Sequence, residues 1–112
     1  MLIYGVNHFT YQDVLEIIKH PEKAILNEKS KQQITNSYQN VQEIVKSDKT
    51  VYGINTGFGP LCETKISEEE TAKLQENLII SHSVGVGNPI AKDISKIMMV
   101  CKIHALSKGF SG

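Results

Sequence analysis

Two stretches of this chain hold residues whose types and spacing could do chemistry. The first is Tyr52-Gly53-Ile54-Asn55-Thr56-Gly57-Phe58-Gly59. Glycines interleaved with polar Asn55 and Thr56 make a mobile loop whose backbone can come close to a ligand. A phosphate cradle is excluded, because a P-loop needs Gly-Lys-Ser/Thr after four intervening residues and Gly59 is followed by Pro60. A dinucleotide fingerprint is excluded as well, since the GxGxxG spacing is missing and no helix is expected to open from the loop. Two readings of Tyr52 stay open: a reactive phenol at the edge of a flexible lid, or a buried aromatic ending a short strand.

The second stretch is Ser81-His82-Ser83-Val84-Gly85-Val86-Gly87. A histidine on an apolar helix face is commonly a core residue with one ring nitrogen satisfied. Here two glycines follow closely, so the imidazole is expected near a helix end where a ligand can reach it. The other histidines carry less: His8 precedes the first helix, His20 caps a helix C-terminus, and His104 is assigned to the most polar strip of the last helix. No histidine pair has HxxxH spacing with an acid beside it, so no metal is expected.

The elements that must position these residues are mostly helical. Thr10 to Asp13 resembles a helix start, and Val14, Leu15, Ile17 and Ile18 give a short amphipathic helix stopped by Pro21. A second helix is expected from near Glu28 to Lys46, with Ile34, Tyr38, Val41 and Val45 inward and Lys31, Gln32, Gln39 and Glu43 in water. Thr50, Val51 and Tyr52 favour an extended conformation. Ser67-Glu68-Glu69-Glu70 has the form of a full capping box, opening a third helix that sets Leu74, Leu78 and His82 on one core-facing side. Gly85, Gly87 and Pro89 end it. A fourth helix runs from about Lys92 to Ser107 and is closed by Gly109. Its apolar residues cover almost its whole circumference, so it needs neighbours on every side, more than three modest helices supply. It belongs inside a larger bundle, or it self-associates.

The 112 residues suit one domain and are too few for two. Twelve Lys plus Arg balance twelve Asp plus Glu, and no basic block appears, which argues against nucleic acid or an anionic membrane as partner. Cys62 and Cys101 form no CxxC pair and read as two reduced thiols. No secretory signal or membrane span is visible, and a soluble, cytoplasmic protein is expected.

The octet YGINTGFG, then LQENLIISHSVGVG, then GFSG resembles the aromatic amino-acid ammonia-lyase family, with the segments in the family's order. The likeness is weak before Lys49 and strong from Val51 to Gly87. Ser81-His82 resembles the histidine-specific branch, where tyrosine-specific members tend to carry His-Leu and phenylalanine-specific ones Phe-Leu. The fold implied is mainly α: the N-terminal helical part of an ammonia-lyase/aspartase-like helical-bundle enzyme with a Gly-rich tyrosine loop. On this resemblance residues 1–112 are one partial domain that lacks the central bundle and the cofactor region.

The resemblance implies elimination of ammonia from L-histidine to give urocanate, a step of histidine degradation. Family members use an electrophilic 4-methylidene-imidazole-5-one, made from an internal Ala-Ser-Gly, and they are homotetramers with active sites shared between subunits. Tyr52 would take the β-proton, the backbone near Gly59 would approach the substrate, and His82 would contact its imidazole. An ordinary phenol ionises near pH ~10, so the family's chemistry depends on surroundings that favour the phenolate. No Ala-Ser-Gly occurs in this sequence, so the chain alone is expected to be inactive. Lys96 and Lys102 stand where many relatives have arginine, which keeps the charge and loses the planar fork. Two other readings fit the residues: an aminomutase of the same fold acting on tyrosine or a related amino acid, and a non-enzymatic helical association module.

Overall fold

The computed structural model describes residues 1–61 and 63–111. The thiol expectation for Cys62 lies outside them; Cys101 is a free, exposed cysteine. The described structure is mainly helical: β1 (Leu2–Ile3), α1 (Tyr11–Lys19), β2 (Ala24–Ile25), α2 (Glu28–Lys46), α3 (Glu68–His82) and α4 (Lys92–Leu106). It divides into two compact units, Met1–Gln39 with Asn88–Gly112, and Asn40–Gly87, the division falling within α2.

The first unit is built on α1. The Thr10 hydroxyl accepts from the Asp13 N–H at 3.2 Å, and the Asp13 carboxylate accepts from the Thr10 N–H at 2.8 Å, a reciprocal capping box. The Thr10 hydroxyl also donates to the Asp13 carboxylate at 2.7 Å, and this bond first, then the one from the Thr10 N–H, holds the Asp13 carboxyl below its ordinary pKa. His20 closes the helix, and a 3-10 turn over Pro21–Lys23 follows, its Lys23 ammonium 2.7 Å from the Glu16 carboxylate. That bond and the ammonium's charge keep Glu16 low as well. The turn delivers β2 alongside β1 in a two-residue parallel ladder, Leu2 opposite Ala24 and Ile3 opposite Ile25. Neither strand was anticipated, since two residues are too short to show an alternating pattern.

Ile17 and Ile18 of α1, Ala24 and Val100 form the core, with Leu2, Tyr4, Phe9, Val14, Leu15 and Ile97 packed around it. Before α2, the Asn27 side chain accepts from the Ser30 N–H at 2.9 Å as an N-cap, and the buried Ser30 hydroxyl donates to the Tyr4 carbonyl at 2.6 Å. Tyr38, expected inward on α2, is exposed.

The expectation for His104 is corrected. Its ring stacks on Phe9 with centroids 4.2 Å apart, and its Nδ1 accepts from the Gly5 N–H at 3.2 Å. The inward stripe of α4 is Ile97, Val100, His104 and Ser107, at helical spacing; a hydropathy pattern counts histidine as polar, whereas here its aromatic face packs. The rest of α4 is bare, with Met98 and Met99 60% and 62% exposed. No helix among the described residues is long and apolar enough to cross a membrane.

In the second unit, the Ser67 hydroxyl accepts from the Glu70 N–H at 3.3 Å and starts α3. The full box is not reproduced, because the Glu70 carboxylate accepts from the Ser67 hydroxyl at 3.0 Å and not from the cap's backbone N–H. Leu74 and Leu78 are only half-buried, and His82 is exposed. The helix ends there, with Ser83 as its C-cap.

Candidate active site

Thr50, Val51 and Tyr52 do not form a strand. The Ile54 N–H donates to the Val51 carbonyl at 3.1 Å, which makes Val51–Ile54 a four-residue turn with Tyr52 and Gly53 at its centre. Gly53 has φ +78, the backbone that the third residue of a type II turn demands and that side-chain-bearing residues avoid. A tyrosine at the corner of such a turn projects outward, and Tyr52 is 63% exposed. The reading of a buried aromatic ending a strand is therefore overturned. Its ring meets Phe58 edge-on, with centroids 5.9 Å apart.

Beneath the exposed tyrosine the loop is anchored, in contrast to the uniformly mobile segment its glycines imply. Asn55 and Thr56 are 0% exposed. The Asn55 Oδ1 accepts from the Val51 N–H at 2.8 Å, while its Nδ2 donates to the Lys49 carbonyl at 2.8 Å. The Thr56 hydroxyl donates to the Gly57 carbonyl at 2.9 Å and accepts from the Gly53 N–H at 3.4 Å. Residues 55–57 also run antiparallel to 64–66: Ile66 N–H donates to the Asn55 carbonyl at 2.9 Å, and Gly57 N–H to the Thr64 carbonyl at 3.3 Å. At Gly57 an added Cβ would lie 2.6 Å from the Leu61 Cβ, so this position needs glycine for close approach. The Lys65 ammonium donates to the Ser47 carbonyl at 3.1 Å and ties the strap to the end of α2.

Tyr52 and Gly59 line one open hollow of about 630 Å3, together with Thr50 and Glu63. Its size suits a small polar molecule. His82 is not among the described residues lining it. The imidazole lies at the last residue of α3, with Nδ1 2.8 Å from the Leu78 carbonyl and 3.1 Å from the Ser81 hydroxyl. A carbonyl only accepts, so Nδ1 carries the proton in the neutral ring and Nε2 keeps its lone pair. Ser81 itself donates to the Leu78 carbonyl at 2.9 Å. The two residues therefore belong to one helix end, arranged by the same carbonyl.

Two residues of this site escaped the sequence reading: Asn55 as the clasp of the loop, and Gln75, whose side chain donates to the Gly53 carbonyl at 3.2 Å. An Asn inside a glycine-rich turn is a sign of side-chain-to-backbone bonding, and would have pointed to the first. No local pattern marks the second, which joins positions far apart in sequence. A smaller, mostly apolar hollow of about 280 Å3 lies along Ile34, Ile103 and Leu106, and no titratable group lines it. Among the described residues no cluster of three or more His, Cys, Asp or Glu could hold a metal.

The chain is 42% identical over 106 residues to histidine ammonia-lyase of Caldanaerobacter subterraneus subsp. tengcongensis, covering 95% of this chain and 21% of that protein. It is 43% identical over all 112 residues to histidine ammonia-lyase of Bacillus subtilis, covering 22% of that protein. It is 40% identical over 105 residues to the Streptococcus sanguinis protein of the same name, covering 94% of this chain and 20% of the other. The chain thus spans about one fifth of the length of the curated relatives it matches. The model for aromatic amino acid lyases matches residues 9–112, through the tyrosine turn, the strap beneath it and the histidine-bearing helix, and the chain belongs to that family.

Proposed function

We propose that this chain is the N-terminal part of an ammonia-lyase that eliminates ammonia from L-histidine to give urocanate, with Tyr52 as the base. The observation that carries this is the placement of the phenol: exposed at a turn corner, over a buried anchor, beside a hollow large enough for an amino acid. The reaction removes a weakly acidic β-proton and expels an amine, so a positioned base contributes directly to the rate. Tyr52 accepts the β-proton on its phenolate oxygen. Gly59 lines the same hollow, where its backbone would approach a substrate. His82 offers Nε2 as an acceptor, which pairs with the N–H of the substrate's imidazole ring. Relatives carrying the name histidine ammonia-lyase support this choice of substrate.

The electrophile used across the family comes from an Ala-Ser-Gly that these 112 residues do not contain, so they cannot form it and no step is assigned through it. The large apolar side chains left exposed on α4 support a homo-oligomer, or further chain, covering them.

The test is Tyr52→Phe in the full-length protein, followed by urocanate absorbance. Turnover is expected to fall by about two to four orders of magnitude, the usual range for losing an acid–base group. The melting temperature should hardly change, because the removed hydroxyl is on an exposed ring. Near-normal turnover would refute the assignment.

A further inference from the structure

Among the described residues, one side-chain hydrogen bond joins the tyrosine turn to α3. Gln75 Nε2 donates to the Gly53 carbonyl at 3.2 Å, across 22 residues of sequence. Among the described residues its side chain makes no other hydrogen bond. The carbonyl belongs to the Gly53–Ile54 peptide unit at the exit of the turn, one residue beyond Tyr52, so the bond holds the arm of the turn that follows the tyrosine. Nothing lies within 4 Å of where a Gly53 Cβ would be, and the residue's other hydrogen bond, from its N–H to the Thr56 hydroxyl, is longer at 3.4 Å. Asn55 differs, since its several buried bonds hold up the loop itself.

The place of Gln75 on α3 gives that bond a second consequence. His82 follows it by seven residues, close to two turns at 3.6 residues each, so both side chains leave the same face of the helix. The axial separation is about 10 Å at 1.5 Å per residue. The turn that carries the phenol is thus tied to the helix face that carries the imidazole.

We propose that Gln75 is a positioning residue for the reaction: by pinning the Tyr52–Gly53 turn to α3, it sets the phenol's place relative to the His82 imidazole. This rests on the reading of Tyr52 as the base. A catalytic group displaced by about 1 Å costs on the order of a hundredfold in rate. The interaction acts on the proton transfer and not on the substrate's ring, so it belongs in kcat and not in KM.

The experiment uses the full-length protein with L-histidine and compares Gln75→Met, Gln75→Lys, Tyr52→Phe and the Tyr52→Phe/Gln75→Met double variant. Gln75→Met keeps the length and removes the donor; kcat is expected to fall about tenfold to a hundredfold, with KM within about twofold and the melting temperature little changed. Gln75→Lys, a poorer packing match that restores a donor, should recover part of kcat. In the Tyr52→Phe background Gln75→Met should have almost no further effect, because the residue acts through the phenol. Should Gln75→Met fail to fold, Gln75→Glu gives the same comparison with the donor replaced by an acceptor.

The proposal is overturned if kcat stays within about twofold of the parent, or if KM rises while kcat holds. It is also overturned if kcat and melting temperature fall together without recovery by lysine, or if the double variant shows the full additional loss. Tyr52→Phe alone separates the two levels. Normal turnover there removes the base assignment and this inference with it, whereas an inactive Tyr52→Phe beside a normal Gln75→Met removes only the inference.

Discussion

Asn55 and Tyr52 sit three residues apart and have opposite situations, one sealed from solvent and the other standing in it. The buried amide satisfies the Val51 N–H and the Lys49 carbonyl, groups that would each cost about 1–3 kcal/mol if buried unpaired. A third residue, His104, shows how a side chain's role escapes a pattern. The bond it accepts from Gly5 at Nδ1 needs the neutral ring, whose face stacks on Phe9. Burial pushes its pKa down, and the positive charges of Lys108 and His8 push the same way. The unfolded chain therefore binds a proton more readily than the folded one. The stabilisation is fully present above the ordinary imidazole value near ~6.5 and is lost as pH falls through the lowered folded value. The melting temperature is expected to drop as pH falls below ~6.5, and His104→Gln should remove part of that drop. Superimposable pH profiles for parent and variant would show that His104 is not responsible. Tyr52, Gly59 and His82 were legible as candidates because glycine spacing and a helix face are local signals. Gln75 and His104 were not, because what they touch is distant in sequence.

Helix boundaries are the part of the fold most plainly written in the residues. Thr10, Asp13, Ser67 and Glu70 mark two helix starts, and α2 begins and ends where its periodicity implies. Which face turns inward was harder to read. α4 is apolar nearly all round, so hydropathy alone cannot choose a side, and only its contacts with α1 and with Phe9 show that Val100 and His104 face in. The strap between residues 55–57 and 64–66 was illegible for a related reason: it is made by backbone bonds and leaves no side-chain alternation. The capping box of α1 supports a short helix that carries two of the four core residues, so its loss should be felt beyond its own turn. Thr10→Ala is expected to lower stability by about 1 kcal/mol in urea or thermal unfolding, the usual cost of removing a side-chain cap. A change below about 0.3 kcal/mol would mean that the helix is held by packing alone.

At the scale of the whole chain, much apolar surface is left uncovered. Ile94, Met98, Met99 and Phe110 are exposed in one unit, and Ile79, Ile80, Val84 and Val86 in the other. Scattered exposed apolar residues are ordinary, but a helix exposing Ile94, Met98 and Met99 on top of a four-residue buried core is a cover-seeking surface. The 112-residue chain is expected to associate as concentration rises, with its sedimentation coefficient climbing across a dilution series. A constant monomer value at the highest concentration would count against any role for α4 in assembly.

The corner at Tyr52 has a consequence for how this loop can change. Shape and surface are written there in adjacent but separate letters: the buried amide, the tight glycines and the antiparallel strap specify the shape, and the ring at the tip answers to none of them. The outward side chain can be exchanged at that tip with the scaffold left intact. The converse does not hold, because altering any of the concealed supports would move the tip whatever stood on it.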